Sequence, residues 1–346
     1  MKIIDDIKGR TILVAPLDWG LGHAARSVPV IKRLSLNNKI IVACGPGAEK
    51  FLRQELPSTI IITIDDWNIH YPKHRINIFT ILGWIPVVLR NSINEHRRIK
   101  EAIRRHDIDC IISDNRYGLS FRHMECYIIT HQVYPKMPRG LSWLEDIGGW
   151  MFKKYLTKFR KVLIPDFEDG ESLSGKLAAD RALPTDRFVR IGILSRFHKS
   201  NSTATAPLHD VMVLMSGQEN QRTVLENILI AALADCGKKT LFVRGVSPDR
   251  PTLPDTSNIT FHNILSGNDL LNALNSSSTV ICRAGYSTLC DIVALDKKAI
   301  IIPTPGQTEQ EYLAERLDGK FGFRSISQNA THFATKIREL LDQEPK

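Results

Sequence analysis

The sequence predicts an α/β protein made of two doubly wound, parallel-sheet domains that face each other across a cleft. Three observations carry that expectation. β-Branched runs alternate with helical periods along most of the chain, the rhythm of parallel sheets joined by right-handed crossovers. A strand turns through glycine into a helix once in each half, at Gly20 and Gly22 and again at Gly285. A length of 346 residues is enough for two cores of ordinary size.

In the first half, the strand candidates are Thr11–Pro16, Lys39–Cys44, Thr59–Ile64, Asp109–Ser113, Cys126–Thr130 and Val162–Pro165. Helical periods fall near Ala24–Ser35, Ala48–Glu55, Ile78–His106 (kinked at Pro86) and Leu141–Phe159. The second half repeats the scheme with strands at Asp210–Met215, Thr240–Val243, Asn258–Phe261, Thr279–Cys282 and Ala299–Pro303. This places a first domain at 1–165 and a second at 210–329. The segment Asp166–His209, rich in Ser, Asp, Thr and Pro, breaks the rhythm and reads as the connection. A last helix over 330–342 has no strand after it and is a candidate to pack back on the first domain.

Composition narrows the class. Hydrophobic residues at 43% and charged residues at 24% are those of a soluble globular protein. The net charge of +9 is unevenly placed: residues 1–200 carry +11 and residues 201–346 carry −2. A basic first half suits an anionic partner such as a lipid headgroup or a phosphorylated substrate. Nucleic acid is disfavoured, because no finger, RNP-like aromatic motif or basic heptad region is present. The six cysteines show no CxxC spacing and lie mostly in apolar runs, which fits reduced core residues in a cytosolic protein. No signal-peptide pattern opens the sequence, and the apolar run Ile78–Leu89 is too short to span a bilayer. The expected location is cytoplasmic. Ile78–Leu89 is followed by Arg90, Arg97, Arg98, Arg104 and Arg105, and Trp143, Trp150 and Met151 by Lys153, Lys154, Lys158, Arg160 and Lys161. Such mixed surface suits peripheral contact with the inner face of the membrane, and equally a helix with one buried and one solvated side.

The first glycine turn, Asp18-Trp19-Gly20-Leu21-Gly22-His23-Ala24-Ala25-Arg26, follows the first strand. Gly20 and Gly22 allow a sharp turn and close approach to a ligand. It is no dinucleotide fingerprint, since Ala25 stands where the third glycine belongs and the next strand ends at Cys44 rather than at an acid. His23 sits at the helix start, where the positive helix end disfavours imidazolium, so a neutral base is expected there; the alternative is a histidine that only hydrogen-bonds within the turn. Asp114 and His131 follow later strands, at the edge where open α/β sheets bind ligands. They are candidates to orient His23 or an acceptor hydroxyl, or to cap helices. The second turn, Arg283–Asp291, offers Gly285, Ser287 and Thr288 at a helix N-terminus, a metal-free cradle for diphosphate. Asp291 lies a turn further on, placed for ribose hydroxyls, and Gln310 with Glu311 open another helix at the same sheet edge, suited to sugar hydroxyls.

Two motifs mislead. Gly170–Leu177 spells GxxxxGK, but Leu177 replaces the hydroxyl residue that binds Mg²⁺, and no first strand precedes it. Asp107-Ile108-Asp109 spells DxD, but before a strand, at the opposite sheet edge. Neither a metal nor a cofactor is expected.

GLGH after the first strand, and RAGYSTLCD followed by IIIPTPGQTEQEYLAERL, resemble the two-Rossmann (GT-B) glycosyltransferases of the family-28, MurG-like type. The resemblance implies that Gly285, Ser287 and Thr288 meet the diphosphate of a nucleotide-sugar, that Asp291 binds ribose, and that Gln310 and Glu311 contact the donor sugar. It implies a donor-phosphate role for Arg196, in Gly192-Ile193-Leu194-Ser195-Arg196, and it sets Gly217 and Gln218 in the family's glycine-rich loop. That loop has lost glycines here, and the family's second sugar-contacting glutamine is Glu311. The expected function is an inverting, metal-independent transfer from a nucleotide-sugar, UDP-linked and of the N-acetylglucosamine kind, to an anionic, lipid-linked or cell-envelope acceptor. Two rivals stay open: a nucleotide-sugar 2-epimerase, and a non-catalytic nucleotide-sugar-binding subunit.

Overall fold

The computed structural model describes residues 1–18, 20–64, 78–133, 149, 153–178, 185–198 and 207–343, with backbone alone at 78–89 and 92. The chain divides into two compact units, Met1–Arg196 and Phe197–Lys346.

In the first unit, strands β1 (Thr11–Pro16), β2 (Lys39–Cys44), β3 (Ile60–Thr63), β4 (Cys110–Asp114), β5 (Glu125–Ile129), β6 (Lys161–Ile164) and β7 (Phe188–Arg190) form one parallel sheet in the order β3-β2-β1-β4-β5-β6-β7. Helices α1 (Lys2–Asp5), α2 (Leu21–Leu34), α3 (Pro46–Glu55) and α4 (Ile78–His106) connect and cover it. Successive residues of a strand point to opposite faces, and here both faces are apolar. Ile12, Val14, Ile40, Val42 and Ile112 belong to one core, and Leu13, Ala15, Ile41, Ala43 and Ile111 to the other. That is why these strands read as continuous hydrophobic runs.

The second unit repeats the plan. Strands β8 (His209–Leu214), β9 (Thr240–Val243), β10 (Ile259–His262), β11 (Ser277–Arg283), β12 (Lys298–Ile302) and β13 (Phe323–Ser325) stand in the order β10-β9-β8-β11-β12-β13, all parallel. Its helices are α5 (Gln221–Leu233), α6 (Gly267–Asn275), α7 (Tyr286–Ala294), α8 (Thr308–Leu317) and α9 (Phe333–Asp342). In each sheet the chain order reverses once, between β1 and β4 and between β8 and β11. Open α/β sheets bind ligands beyond the carboxyl ends of the strands at that reversal. Pro16 pairs with Asp114 there in the first sheet, and Leu214 with Cys282 in the second.

Three expectations need correction. The segment 166–209 is not a plain connector, because its first part folds into the first unit. The Asp166 carboxylate accepts from the amides of Phe167 (2.8 Å), Leu173 (2.9 Å) and Ser174 (3.0 Å), and β7 then extends the sheet. The GxxxxGK segment lies in this fold, ending in a short 3-10 turn at Gly175–Ala178. The last helix, α9, expected to pack back on the first domain, packs on α5 of its own unit. Phe333 and Ile337 enter the core with Leu229 and Leu233, and Arg338 Nε donates to the Ala232 carbonyl at 3.0 Å. The strand β13, absent from the sequence reading, closes the second sheet beside β12. Most of the helix expected at 141–159 lies outside the described residues, and 153–156 are helical.

No helix among the described residues is long and apolar enough to cross a membrane. All six cysteines are free thiols, and burial pushes Cys44, Cys110 and Cys282 up to about 12, which makes them inert core residues.

Candidate active site

The first constellation grows from the turn between β1 and α2. Gly20 caps α2 with φ +75°, a backbone region that costs glycine little. Gly22 and His23 follow in the first helical turn, and Arg26 stands three residues beyond His23, on the same side of the helix. That side looks at the carboxyl ends of β4 and β5. Asp114 ends β4 and is fully buried, and His131 follows β5 with 3% exposure.

Four of these side chains meet. Arg26 Nε donates to Asp114 Oδ2 at 2.7 Å, while Arg26 Nη2 donates to Oδ1. His23 Nδ1 lies 3.0 Å from Asp114 Oδ1 and 2.9 Å from Arg26 Nη2, and Arg26 Nη1 lies 3.0 Å from His131 Nδ1. Ser27 Oγ adds a donor to Asp114 Oδ2 at 3.4 Å. The structure therefore brings His23, Asp114 and His131 together, as their positions at strand and helix ends suggested, but through Arg26. Sequence reasoning assigned Arg26 no role, because an arginine in a helix ordinarily faces solvent. Its i+3 spacing from His23 was the available signal.

Protonation follows from geometry. Asp114 is ionised: burial alone would raise its carboxyl, but the Arg26 guanidinium and His23 outweigh that and hold it well below the carboxylate range. An ionised carboxylate only accepts, so a hydrogen bond between Asp114 and His23 places the proton on Nδ1, with Arg26 Nη2 donating to Oδ1 and not to the ring. Nδ1–H and Nη2–H then converge on Oδ1, and Nε2 of His23 carries the lone pair, with no partner among the described residues. Burial first, and the Arg26 cation second, lower the His23 pKa below 6.5 against the pull of Asp114. His23 is thus neutral at pH 7.

The second constellation lies at the reversal point of the other sheet. Gly285 caps α7 with ordinary backbone angles, and a Cβ built on it would meet no atom within 4 Å. Ser287 and Thr288 occupy the first turn of α7, and Asp291 lies further along the same helix. Beneath them Arg283, 1% exposed, donates to the carbonyls of Gln221 (2.9 Å) and Pro303 (3.2 Å), tying together the loops that surround Gly285. Gly217 has φ +104° with free space around it, and Gln218 is exposed next to it, after β8. Gln310 Oε1 accepts from the Thr304 amide at 2.9 Å, and Glu311 Oε1 from the Gly306 amide at 2.8 Å. These two side chains shape the loop after β12.

Arg196 lies in the first unit. Its guanidinium reaches Glu55 Oε1 at 3.3 Å and stacks over the Phe51 ring. The DxD residues sit at the amino end of β4, where Asp109 Oδ2 faces the Thr11 amide at 3.4 Å, at the edge away from Asp114.

Residues 237–346 match the glycosyltransferase family 28 C-terminal domain. That stretch holds Gly285, Ser287, Thr288, Asp291, Gln310 and Glu311. Solved structures with the same fold include the glycosyltransferase of kitacinnamycin (TM-score 0.67, 15% identity, covering 96% of this chain and 91% of that one). MurG of Acinetobacter baumannii gives a TM-score of 0.53 at 14% identity, covering 95% and 89%. Phytolacca americana UGT2, complexed with UDP-2fluoro-glucose and pterostilbene, gives 0.63 at 16%, covering 96% and 90%. No curated protein matches the sequence. These likenesses show the fold of the chain, two parallel-sheet α/β domains shared with GT-B glycosyltransferases.

Proposed function

We propose that the protein is an inverting glycosyltransferase that takes its sugar from a nucleotide-sugar, UDP-linked and of the N-acetylglucosamine kind, without a metal ion. The observation that carries the reading is the His23–Asp114 pair: a neutral imidazole whose Nδ1 meets a buried carboxylate and whose Nε2 has no partner among the described residues, at the reversal point of a parallel sheet. His23 Nε2 takes the proton of an acceptor hydroxyl as that oxygen bonds to the anomeric carbon. The bond from that carbon to the diphosphate oxygen breaks, and its electron pair leaves with the nucleotide. One displacement inverts the configuration. The α7 N-terminus at Gly285–Thr288 supplies preorganised N–H groups for the leaving charge. Asp291, Gln310, Glu311, Gly217 and Gln218 are assigned to the nucleotide and sugar, and Gly20 and Gly22 to the acceptor side. A UDP donor draws support from the UDP-2fluoro-glucose in the Phytolacca americana structure. Arg196, held by Glu55 here, serves the donor phosphate only after leaving that pair.

Gly285→Val tests the donor half. A Cβ at this position meets no described atom within 4 Å and the backbone is allowed, so thermal stability should stay close to that of the parent. The side chain then stands at the start of α7, and calorimetric affinity for UDP should fall by at least ~10-fold. A variant that binds UDP as tightly as the parent would remove Gly285 from the site.

The acceptor side is basic. Arg90, Arg97, Lys100 and Arg104 are exposed along α4, with Ile93 54% exposed among them. We assign this stripe to peripheral contact with anionic lipid, in line with a lipid-linked acceptor. In sedimentation with liposomes, binding should rise with the fraction of anionic lipid and fall with salt. Binding independent of both contradicts it.

A 2-epimerase would convert the donor sugar with no acceptor present, and a binding subunit would neither transfer nor hydrolyse it. The His23–Asp114 arrangement favours transfer over both.

A further inference from the structure

Resting on the reading of His23 as the base, we propose that Arg26 is a positioning residue for it: the forked guanidinium occupies both oxygens of Asp114, touches His131, and so holds His23 in a single neutral tautomer with Nε2 available.

The geometry is specific. A guanidinium presents N–H donors in a rigid plane matched to a carboxylate. Here Nε and Nη2 take the two oxygens of Asp114, and Nη1 reaches Nδ1 of His131 at 3.0 Å. With both oxygens held, Asp114 cannot rotate, and Oδ1 stays in line with His23 Nδ1. Arg26 also changes what Asp114 does. An aspartate behind a histidine ordinarily stabilises the imidazolium. Here its charge is already neutralised by a cation whose Nη2 is 2.9 Å from the same imidazole. The pair therefore orients the ring while opposing its early protonation.

Among the described residues, no charged side chain other than Arg26 hydrogen-bonds to the His23–Asp114 pair. Asp114 comes from the end of β4, His131 from the end of β5 and Arg26 from α2 itself. Asp5 of α1 and Glu55 of α3, the other helices against α2, meet Arg33 and Lys32 in the last turns of α2. β1 contributes no ionisable side chain, and Asp18 lies beyond its end, against Gly45 and Gly47 at the start of α3.

The test is side-chain ¹⁵N NMR of histidine-labelled protein without substrate, His23 being identified by the signal lost in His23→Gln. In the parent protein, His23 should show one neutral tautomer with the proton on Nδ1. Arg26→Gln removes the charge, and the His23 titration should move to higher pH. Arg26→Lys keeps the charge but loses the fork: the titration should stay near that of the parent, while the second tautomer appears. Arg26→Gln that leaves the midpoint in place or lowers it overturns the proposal. So does Arg26→Lys with a tautomer pattern identical to the parent, which decides the matter if Arg26→Gln does not fold. Because no substrate is present, an inactive chain showing these changes would sink the catalytic reading and keep the role of Arg26; an active chain without them does the reverse.

Discussion

Replacing His23 by alanine lowers the rate of sugar transfer by about 10²–10⁴-fold, the contribution of one positioned general base. Donor affinity is unchanged, because the residues assigned to the nucleotide, Arg196 apart, belong to the other unit. The ring is only partly exposed and the helix continues past it, so the alanine variant folds. The pH dependence follows from the same ring. Only the neutral imidazole accepts a proton, and the His23 pKa is lowered below 6.5, by burial first and by Arg26 second. The rate of the parent enzyme should therefore hold down to pH 6.5 and fall only at lower pH. Steady-state kinetics across pH 5–8 checks both statements. An acid limb centred above 6.5, or an alanine variant as fast as the parent, would remove His23 from the reaction.

Asp114→Asn is expected to damage both stability and rate. The carboxylate is fully buried and answers a guanidinium that is 3% exposed, and breaking a buried pair by removing one partner costs about 3–5 kcal/mol. An asparagine can also donate to His23 Nδ1, which leaves the proton on Nε2 and no base; a wrong tautomer behind such a pair costs on the order of 10⁴ in rate. Denaturant unfolding and kinetics separate the two effects. The double replacement Asp114→Leu with Arg26→Met should recover much of the stability, since the buried charge is gone, yet none of the activity. If Asp114→Asn is as stable as the parent, the buried pair is not what joins α2 to the sheet. The sign of the acid response follows as well. The Asp114 carboxyl is held below its usual 3.8, so its contribution persists above that pH and is lost only as the pH falls through its lowered value.

Much of this was legible in the residues because parallel strands buried on both faces leave continuous apolar runs. β1 and β2 carry such runs from their second residue on, and the bounds of both strands match the sequence reading. β7 (FVR) and β13 (FRS) are three residues long at sheet edges, too short to set up a pattern. The Asp166–His209 segment read as a connector because its Ser and Asp residues usually mark loops. Here they serve a buried carboxylate, Asp166, which gathers Ser172, Leu173 and Ser174 around it.

At the candidate site, His23, Asp114 and His131 were found from their places at strand and helix ends, a matter of topology. Arg26 was not, since its role depends on a partner 88 residues away. Gln310 and Glu311 were legible as polar groups at the right edge, but not as acceptors for the amides of Thr304 and Gly306. Local backbone bonds of this kind depend on the loop conformation, which the sequence does not spell out.

Titration calorimetry with a panel of nucleotides and nucleotide-sugars, in the presence of a chelator, addresses the central claim most directly. The account predicts saturable binding of UDP and of at least one UDP-sugar that the chelator leaves unchanged. Failure of every nucleotide-sugar to bind, or binding that vanishes with the chelator, would contradict it.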